Sequence, residues 1–515
     1  MNALKKIVLI FVTALFILAV GIWLFIKSLE PDWIKTYIAK QITTITGLPS
    51  DIKGSITWQI LPTPGLKVHQ IQVGSAESEK KLNLEIKELV LKLQLEPLLH
   101  GRLTFSEISI DGLNAVINPN APAPAIIKTE YKTKKEPKIT PSRVTFAIDN
   151  FRLTDGHIKF MQDNAQYKLN DVHISLSQLN LENKYFPLQL KSNLAISLPG
   201  HSGHATLNYT GKIKLSDKIF YLAPNNLSAL NSIGHLTLTD VQFDQFKIEK
   251  ITADTDIQNN NIQFDPIKIN LYDGESIGNA SYRLDTQAIT VNQTATNLNL
   301  ETFIQDLVDK KLIVGKLDFT THGTARLKEQ NGLNSLRVNG TASIKDGKLL
   351  FVDIQALVNE LLNRFQMLLN NSTIDPQTLS ELANLNPEDF QKGITKFTAL
   401  NVTYDIPQPM LLNNSLVLQT RQFELSGQGS INLQQQSINN HLNLKLSSNH
   451  ENAAKINDIF VDGIPLRLKG SLKQPLVYPD VKQISALLTK HYLKKTLNKP
   501  IKQLKEEVKG FFDTL

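Results

Sequence analysis

The sequence lacks cysteine entirely over its 515 residues. This absence excludes a disulfide scaffold, a thiol nucleophile and any metal site built on thiolates. A strong charge imbalance is also missing, because the net charge is only +7 and is spread thinly along the chain. We therefore expect no nucleic-acid partner. Hydrophobic residues make up 41% of the chain and charged residues 20%, which excludes a wholly disordered protein.

Catalytic motifs are missing as well. The chain has no G-x-S-x-G elbow, no GK[ST] phosphate loop and no H-E-x-x-H pair. Three weaker patterns are better explained by structure than by catalysis. His201-Ser-Gly-His204 is best read as a polar turn, Asp254-Thr-Asp256 as a solvated strand face, and Gly427-Gln-Gly429 as a link between strands. We predict no catalytic residue, no metal and no cofactor, and expect that the protein is not an enzyme.

One hydrophobic run is long enough to cross a membrane. Residues 7–26 contain no charge and would span about 30 Å as a helix. We predict a signal anchor over residues 1–30, with the transmembrane helix at 7–26. Lys5 and Lys6 precede the span, which favours a cytoplasmic N-terminus and a translocated body. Cleavage of this segment is the alternative, but residues 27–30 do not provide a small-x-small exit.

The segment after the anchor shows a helical period. Residues 31–46 carry apolar side chains at steps of three and four. We predict a membrane-proximal helix at the start of an N-terminal β region, residues 31–118. Two placements remain open for this helix, one at the membrane surface and one as a cap on the first strands.

Beyond residue 47 the dominant period becomes two, which predicts strands. A segment rich in Pro and Lys, residues 119–141, interrupts this pattern and predicts a loop or linker. Alternation then returns in a central β region, 142–350, and in a C-terminal β region, 396–479. Asp–Gly and Asn–Gly pairs predict turns between these strands, at Asp155-Gly156, Asp273-Gly274, Asn339-Gly340 and Asp346-Gly347.

Two further helical segments are predicted. Apolar residues from Ile354 to Leu369 fit one helix face, which predicts a helical insert over residues 351–395. The tail, residues 480–515, carries 8 lysines against 4 acids together with an apolar stripe. This composition predicts a basic amphipathic helix. It could dock on an anionic bilayer or a partner, or pack on the last strands.

The predicted fold is therefore mainly β: a transmembrane helix, an elongated and twisted antiparallel sheet, a central helical insert and a C-terminal amphipathic helix. A ribbon of about 25 strands would be roughly 120 Å long, with an apolar face of about 2,400 Å². The central helix would cover about a tenth of that face. Periodicity alone leaves two solutions open: a second sheet closes a sandwich, or an apolar groove stays open and suits acyl chains. We take six strand residues as groove candidates: Leu194, Ile196, Leu198, Leu442, Leu444 and Leu446.

Several ordered motifs resemble one known family. Near the N-terminus these are Gly54-Ser-Ile-Thr-Trp58, Leu61-Pro-Thr-Pro64-Gly65-Leu66 and Leu95-Glu-Pro97-Leu98-Leu99-His-Gly101. Near the C-terminus, Phe423-Glu-Leu425-Ser-Gly427-Gln-Gly429 precedes Ile464-Pro465-Leu466-Arg-Leu468-Lys-Gly470. Together with the anchor, this ordered set is similar to the AsmA family.

The resemblance implies a single-pass protein of the bacterial inner membrane with a periplasmic body. The family is related to TamB and to bridge-like lipid-transfer proteins, whose twisted sheets form an apolar groove for phospholipid chains. The resemblance thus favours the groove over the sandwich. It also implies a non-enzymatic protein that binds or transfers phospholipid between the inner and outer membranes and supports outer-membrane lipid homeostasis. Outer-membrane or periplasmic proteins are possible partners. The alternative function is a scaffold that assists outer-membrane protein assembly.

Overall fold

The computed structural model divides the chain into two compact units, Met1–Ile262 (unit 1) and Gln263–Leu515 (unit 2). The two units are described separately. The structure describes residues 35–36, 38–40, 42–43, 48–59, 63–74, 82–94, 96, 105–118, 147–162, 164–216, 230–327, 335–370, 387–391, 393–408, 410–448, 453–491 and 494.

Unit 1 consists mainly of strands. β1 pairs with β3, and from β2 to β11 each strand is hydrogen-bonded to the next strand in the chain. Its strands are β1 Ser50–Ile52, β2 Ile56–Gln59, β3 Gly65–Gly74, β4 Leu82–Leu93, β5 Phe105–Ile117, β6 Ala147–Gln162, β7 Ala165–Asn180, β8 Glu182–Leu198, β9 His201–Ser216, β10 Asn231–Phe243 and β11 Phe246–Gln258.

Unit 2 combines a sheet with helices. From β13 onward each strand pairs antiparallel with the next. Its strands are β12 Asn261–Leu271, whose first two residues belong to unit 1, β13 Gly274–Arg283, β14 Ala288–Asn299, β15 Ile313–Arg326, β16 Arg337–Leu349, β17 Thr395–Gln408, β18 Leu411–Gln419, β19 Phe423–Asn432, β20 Ser437–Leu446, β21 Ile464–Ser471 and β22 Gln474–Pro479. Its helices are α1 Leu300–Val308, α2 Ile354–Asn370, α3 Ala453–Ile459 and α4, residues 481–491. A 3₁₀ turn, Pro387–Phe390, precedes β17.

The mainly β prediction is confirmed, but the antiparallel prediction is wrong at one place. β5 and β6 pair in parallel, with Ile110 opposite Leu153 and Ala115 opposite Ile158. A parallel pair needs a connection of a dozen or more residues, which a hairpin cannot supply. The connection here comprises residues 118–146 and contains the predicted linker, 119–141, which lies outside the described residues.

Three of the four predicted Asp–Gly and Asn–Gly turns are wrong. Only Asp273-Gly274 lies at a turn between strands, whereas Asn339-Gly340 lies inside β16. Asp155 and Asp346 lie inside β6 and β16 and adopt φ values of +50° and +49°. A positive φ in the middle of a long strand is typical of a bulge, where one extra residue is accommodated. The same dipeptide chemistry therefore kinks a strand here instead of ending it.

The helical insert is confirmed at α2, which begins at Ile354. The Asp353 side chain accepts a hydrogen bond from the Ala356 backbone N–H at 2.9 Å, as expected of an N-cap. Thr395 fixes the same end, since its hydroxyl accepts from the Ile354 N–H at 2.9 Å. The sequence analysis missed α1 and α3, which have only nine and seven residues.

The predicted transmembrane helix, residues 7–26, lies outside the described residues. Among the described residues, no helix has both the length and the apolar character that crossing a membrane requires. The described part of the predicted membrane-proximal helix is helical at residues 35–36, 38–40 and 42–43. Ile38 and Ile42 pack against the apolar cluster of β1 and β3, which is the capping placement.

Candidate functional site

Apolar side chains of neighbouring strands lie opposite one another in unit 1. On β8, Leu194 lies opposite Leu169 of β7 on one side and Ala205 of β9 on the other. Further along β8, Leu190 lies opposite Ile174. Because side chains alternate across a strand, these matched registers place the apolar residues on one face of the sheet. We call this surface the unit 1 face.

The unit 1 face is partly exposed. Leu194, Ile196 and Leu198 are half-buried, whereas fully buried residues such as Phe186 and Val172 are fewer. From residue 105 to residue 258, the described part of the chain contains strands and turns but no helix. The side chains of this stretch are thus shielded mainly by their neighbours on the sheet. An apolar face of this kind is suited to binding an apolar ligand.

Unit 2 has the same alternation but a different cover. Leu442, Leu444 and Leu446 of β20 are almost completely buried, with 2%, 0% and 3% of their surface exposed. They belong to one apolar cluster with the inward side chains of α2, α3 and α4. Phe365 of α2 contacts Phe460, which follows α3, at a ring-centroid distance of 5.1 Å. The second predicted triplet therefore lies in a packed core, and the first lies on a partly exposed sheet.

The described start of the tail contributes to this core. Ile484 and Leu488 of α4 are buried in the same cluster, so this part of the tail packs on the last strands. Asp480 caps α4 by accepting from the Gln483 N–H at 3.1 Å and pairs with Arg467 at 2.9 Å. Burial alone would raise the pKa of Asp480, but these two donors outweigh burial, and its pKa lies below the usual range. The rest of the tail, apart from residue 494, lies outside the described residues.

An apolar cavity of about 400 Å³ remains inside unit 2. Its walls come from α1, the strands β15–β22, the start of α2 and the residues just before it, including Leu307, Phe351 and Leu416. Tyr404 and Asn414 are its polar lining residues. The Lys473 Nζ, in the β21–β22 hairpin, lies 3.9 Å from the Asp309 Oδ2 at the end of α1. The hairpin and the end of α1 are therefore close to each other. Cavities of about 300–1,000 Å³ hold small ligands.

The weaker sequence motifs do not form a reactive site. His201 and His204 lie in β9 and not in a turn, so that prediction is wrong. His201 instead pairs with Asp244 at 2.6 Å and stacks on Phe243. Gly427 and Gly429 lie within β19 and not between strands. Asp254 is exposed and pairs with His235 at 2.8 Å, as a solvated strand face requires. Among the described residues, no cluster of acidic and histidine side chains could hold a metal ion.

Sequence reasoning missed the cavity. Its lining residues come from α1, which is short, and from strands whose alternation looks the same as elsewhere. One signal was available: Asn414 and Asn440 interrupt otherwise apolar alternations at Leu412–Leu418 and Ile438–Leu446.

Comparison with known proteins identified one family. The model of the AsmA family matches residues 1–218. Neither the curated proteins nor the solved structures contain a significant match to the chain. The match covers the N-terminal motifs described above, whereas the resemblance over residues 423–475 stays a prediction.

Proposed function

Through residues 1–218 this chain belongs to the AsmA family, and we propose that it binds and transfers phospholipid along the apolar face of its sheet. One observation carries the proposal: strand after strand, apolar residues of unit 1 lie opposite one another and stay half-buried. Leaving such a surface against water is unfavourable by about 25 cal/mol per Å². An acyl chain would remove that cost without needing any particular reactive side chain.

The cavity of unit 2 supports the same proposal. It is lined almost wholly by aliphatic and aromatic side chains, and its chemistry is that of a site for hydrocarbon. The leucines of β20 contribute differently, because Leu444 has no exposed surface. In the proposed function, Leu194, Ile196 and Leu198 are contacts for acyl chains on the unit 1 face, whereas Leu444 and Leu446 belong to the packed core of unit 2.

The proposed setting is the bacterial inner membrane. The N-terminal anchor would hold the chain there, with the N-terminus in the cytoplasm and the body in the periplasm. A reporter fused after Leu515 would then be active only if it is a periplasmic type. Activity of a reporter that works only in the cytoplasm would contradict this orientation. The proposed function uses no cofactor, catalytic residue or nucleic acid.

Lipid analysis of two matched variants of the full chain tests the proposal. In one variant Leu194 and Ile196 on the unit 1 face are changed to Asp. In the other, Asn193 and Ser197 on the opposite face of the same strand are changed to Asp. We expect the unmodified protein and the second variant to co-purify with phospholipid, and the first variant to carry much less. Absence of phospholipid from the unmodified protein would overturn the proposal and favour the alternative, a scaffold for outer-membrane protein assembly.

A further inference from the structure

A row of polar residues crosses the apolar face of unit 2. Gln293 of β14 lies opposite Thr321 of β15, and Tyr404 of β17 lies opposite Asn414 of β18. Asn440 of β20 follows two strands further on. All five occupy the same register level, and they lie on the face that also carries Leu416 and Leu442 in neighbouring registers. We call these five residues the polar row.

On the two strands that contribute no polar side chain, β16 and β19, the position in line with the polar row is a glycine. Gly340 separates Thr321 from Tyr404, and Gly429 separates Asn414 from Asn440. A Cβ atom at Gly340 would lie 2.5 Å from the Tyr404 hydroxyl, and one at Gly429 would lie 2.5 Å from the Asn440 Oδ1. The polar side chains therefore extend over the glycines. The row continues without an apolar interruption from Gly278 of β13, opposite Gln293, to Asn440 of β20.

Apolar rows flank the polar row on both sides. On the side of the helices, Phe319, Ala342 and Val402 lie opposite one another on adjacent strands. On the side of the hairpins, Leu412, Ile431 and Ile438 do the same. Because strands are crossed in turn, all three rows run perpendicular to the strands. The face thus has two apolar lanes with a polar line between them.

Part of the hydrogen-bonding capacity of the polar row is free. Asn414 donates to Asn440 Oδ1 at 3.4 Å and accepts a bond from the Asn440 amide. A side-chain amide has two N–H donors, so Asn414 keeps one donor where it lines the cavity. Burial of such groups in apolar surroundings is costly unless an acceptor meets them.

We propose that the polar row binds the ester carbonyl groups of a diacyl glycerolipid, while its two acyl chains occupy the apolar lanes on either side. Asn414, which lines the cavity, donates to a carbonyl oxygen, and Asn440 is a positioning residue that orients the Asn414 amide. The inference rests on the proposed function and adds the residues that recognise the ester region of the lipid. A ligand with hydrogen-bond acceptors between two alkyl chains matches this arrangement, whereas a plain hydrocarbon leaves the amides unpaired.

The test compares two lipid probes that differ only at the carbonyl groups. One probe is a diacyl phosphatidylglycerol and the other is its dialkyl ether analogue, which has no ester carbonyl. Each probe competes with a labelled diacyl lipid for binding to the full-length protein in detergent, and displacement of the label is measured. We expect the diacyl probe to compete about three- to tenfold better, the range that one typical hydrogen bond provides.

Variants assign the preference to the polar row. Replacing Asn414 and Asn440 together with Leu removes both amides without orphaning either, so the fold should tolerate the change. We expect this double variant to bind the two probes equally. The matched control changes Asn413 and Asn439, the next residues on the opposite face, to Leu, and should keep the preference. If the double variant does not fold, Asn414→Ala carries the test, because it removes the donor that lines the cavity, and a smaller preference is expected.

The outcomes separate this inference from the proposed function. Binding of neither probe by the unmodified protein would overturn both. Equal binding of the two probes would overturn the polar row as a carbonyl site and leave lipid binding intact. A double variant, or an Asn414→Ala variant, that keeps the full preference would also overturn it, and the amides would then serve only to fix strand register.

Discussion

Two strands of this protein look alike in sequence and differ in their surroundings. β8 carries Leu194, Ile196 and Leu198 at alternate positions, and β20 carries Leu442, Leu444 and Leu446. The first set is half-buried and the second is fully buried. The difference comes from α2, α3 and α4, which pack on β20, and not from the strands themselves. Alternation therefore indicates which face of a sheet is apolar, and the helices determine which part stays available to a ligand.

The largest contrast is expected from aspartate substitutions on the two strands. Leu444→Asp places a carboxylate without a partner in a fully buried site and should destabilise unit 2 by more than about 4 kcal/mol. Leu194→Asp can reach water and should cost about 1–2 kcal/mol. Thermal unfolding of the two purified variants measures both effects. Equal melting temperatures for the two variants would mean that the two strands are covered to the same degree.

The cover itself is tested by removing a side chain from α2. Phe365 is 1% exposed, and Phe365→Ala should destabilise unit 2 by about 3–5 kcal/mol, because it leaves a cavity against Phe460. The neighbouring exposed residue provides the control, since Gln366→Ala should change the free energy of unfolding by less than about 0.5 kcal/mol. Urea titration followed by far-ultraviolet circular dichroism gives both values. A small effect of Phe365→Ala would show that α2 contributes little to the cover.

A smaller effect is expected at the start of α2. Asp353→Ala removes the N-cap bond to the Ala356 N–H and should destabilise unit 2 by about 0.5–2 kcal/mol. Asp353→Asn keeps a capping oxygen and should cost less than Asp353→Ala. The comparison of the two variants by urea titration isolates the cap. An alanine variant as stable as the asparagine variant would contradict it.

The smallest effect is expected from pH at α4. The pKa of folded Asp480 lies below its usual range, so the carboxylate stabilises unit 2 above about pH 4, the unfolded value. This stabilisation is lost as the pH falls through the folded pKa. Asp480→Asn keeps the cap but loses the charge, and should lower the free energy of unfolding at neutral pH by about 1 kcal/mol or less. The difference between the two proteins should shrink below pH 4, and a difference that grows there would contradict the assignment.

Much of the fold could be predicted from local patterns. Alternation located β8 and β20, and a stripe at helical spacing located α2, because each reflects the period of its own element. The parallel pairing of β5 and β6 could not be predicted, since it depends on a long connection. The bulges at Asp155 and Asp346 could not be predicted either, because a residue in the left-handed conformation fits a bulge as well as a turn.

The candidate site was predictable only in part. The apolar faces follow from alternation, but burial of Leu444 depends on the packing of three helices on β20, and one of them, α2, comes from a distant segment of the chain. The polar row required the strand registers, because Gln293 and Asn440 are almost 150 residues apart. Single polar residues in apolar alternations gave a local signal, and their alignment across strands is a tertiary property.

Site-specific photo-cross-linking in living cells tests the central claim most directly. A photoreactive amino acid is placed at Ile196 on the unit 1 face, at Ser197 on the opposite face, or at Leu444 in the core of unit 2. We expect a phospholipid adduct at position 196 and none at positions 197 and 444. Equal labelling at 196 and 197, or labelling confined to 444, would contradict the claim that the partly exposed face of unit 1 carries the acyl chains.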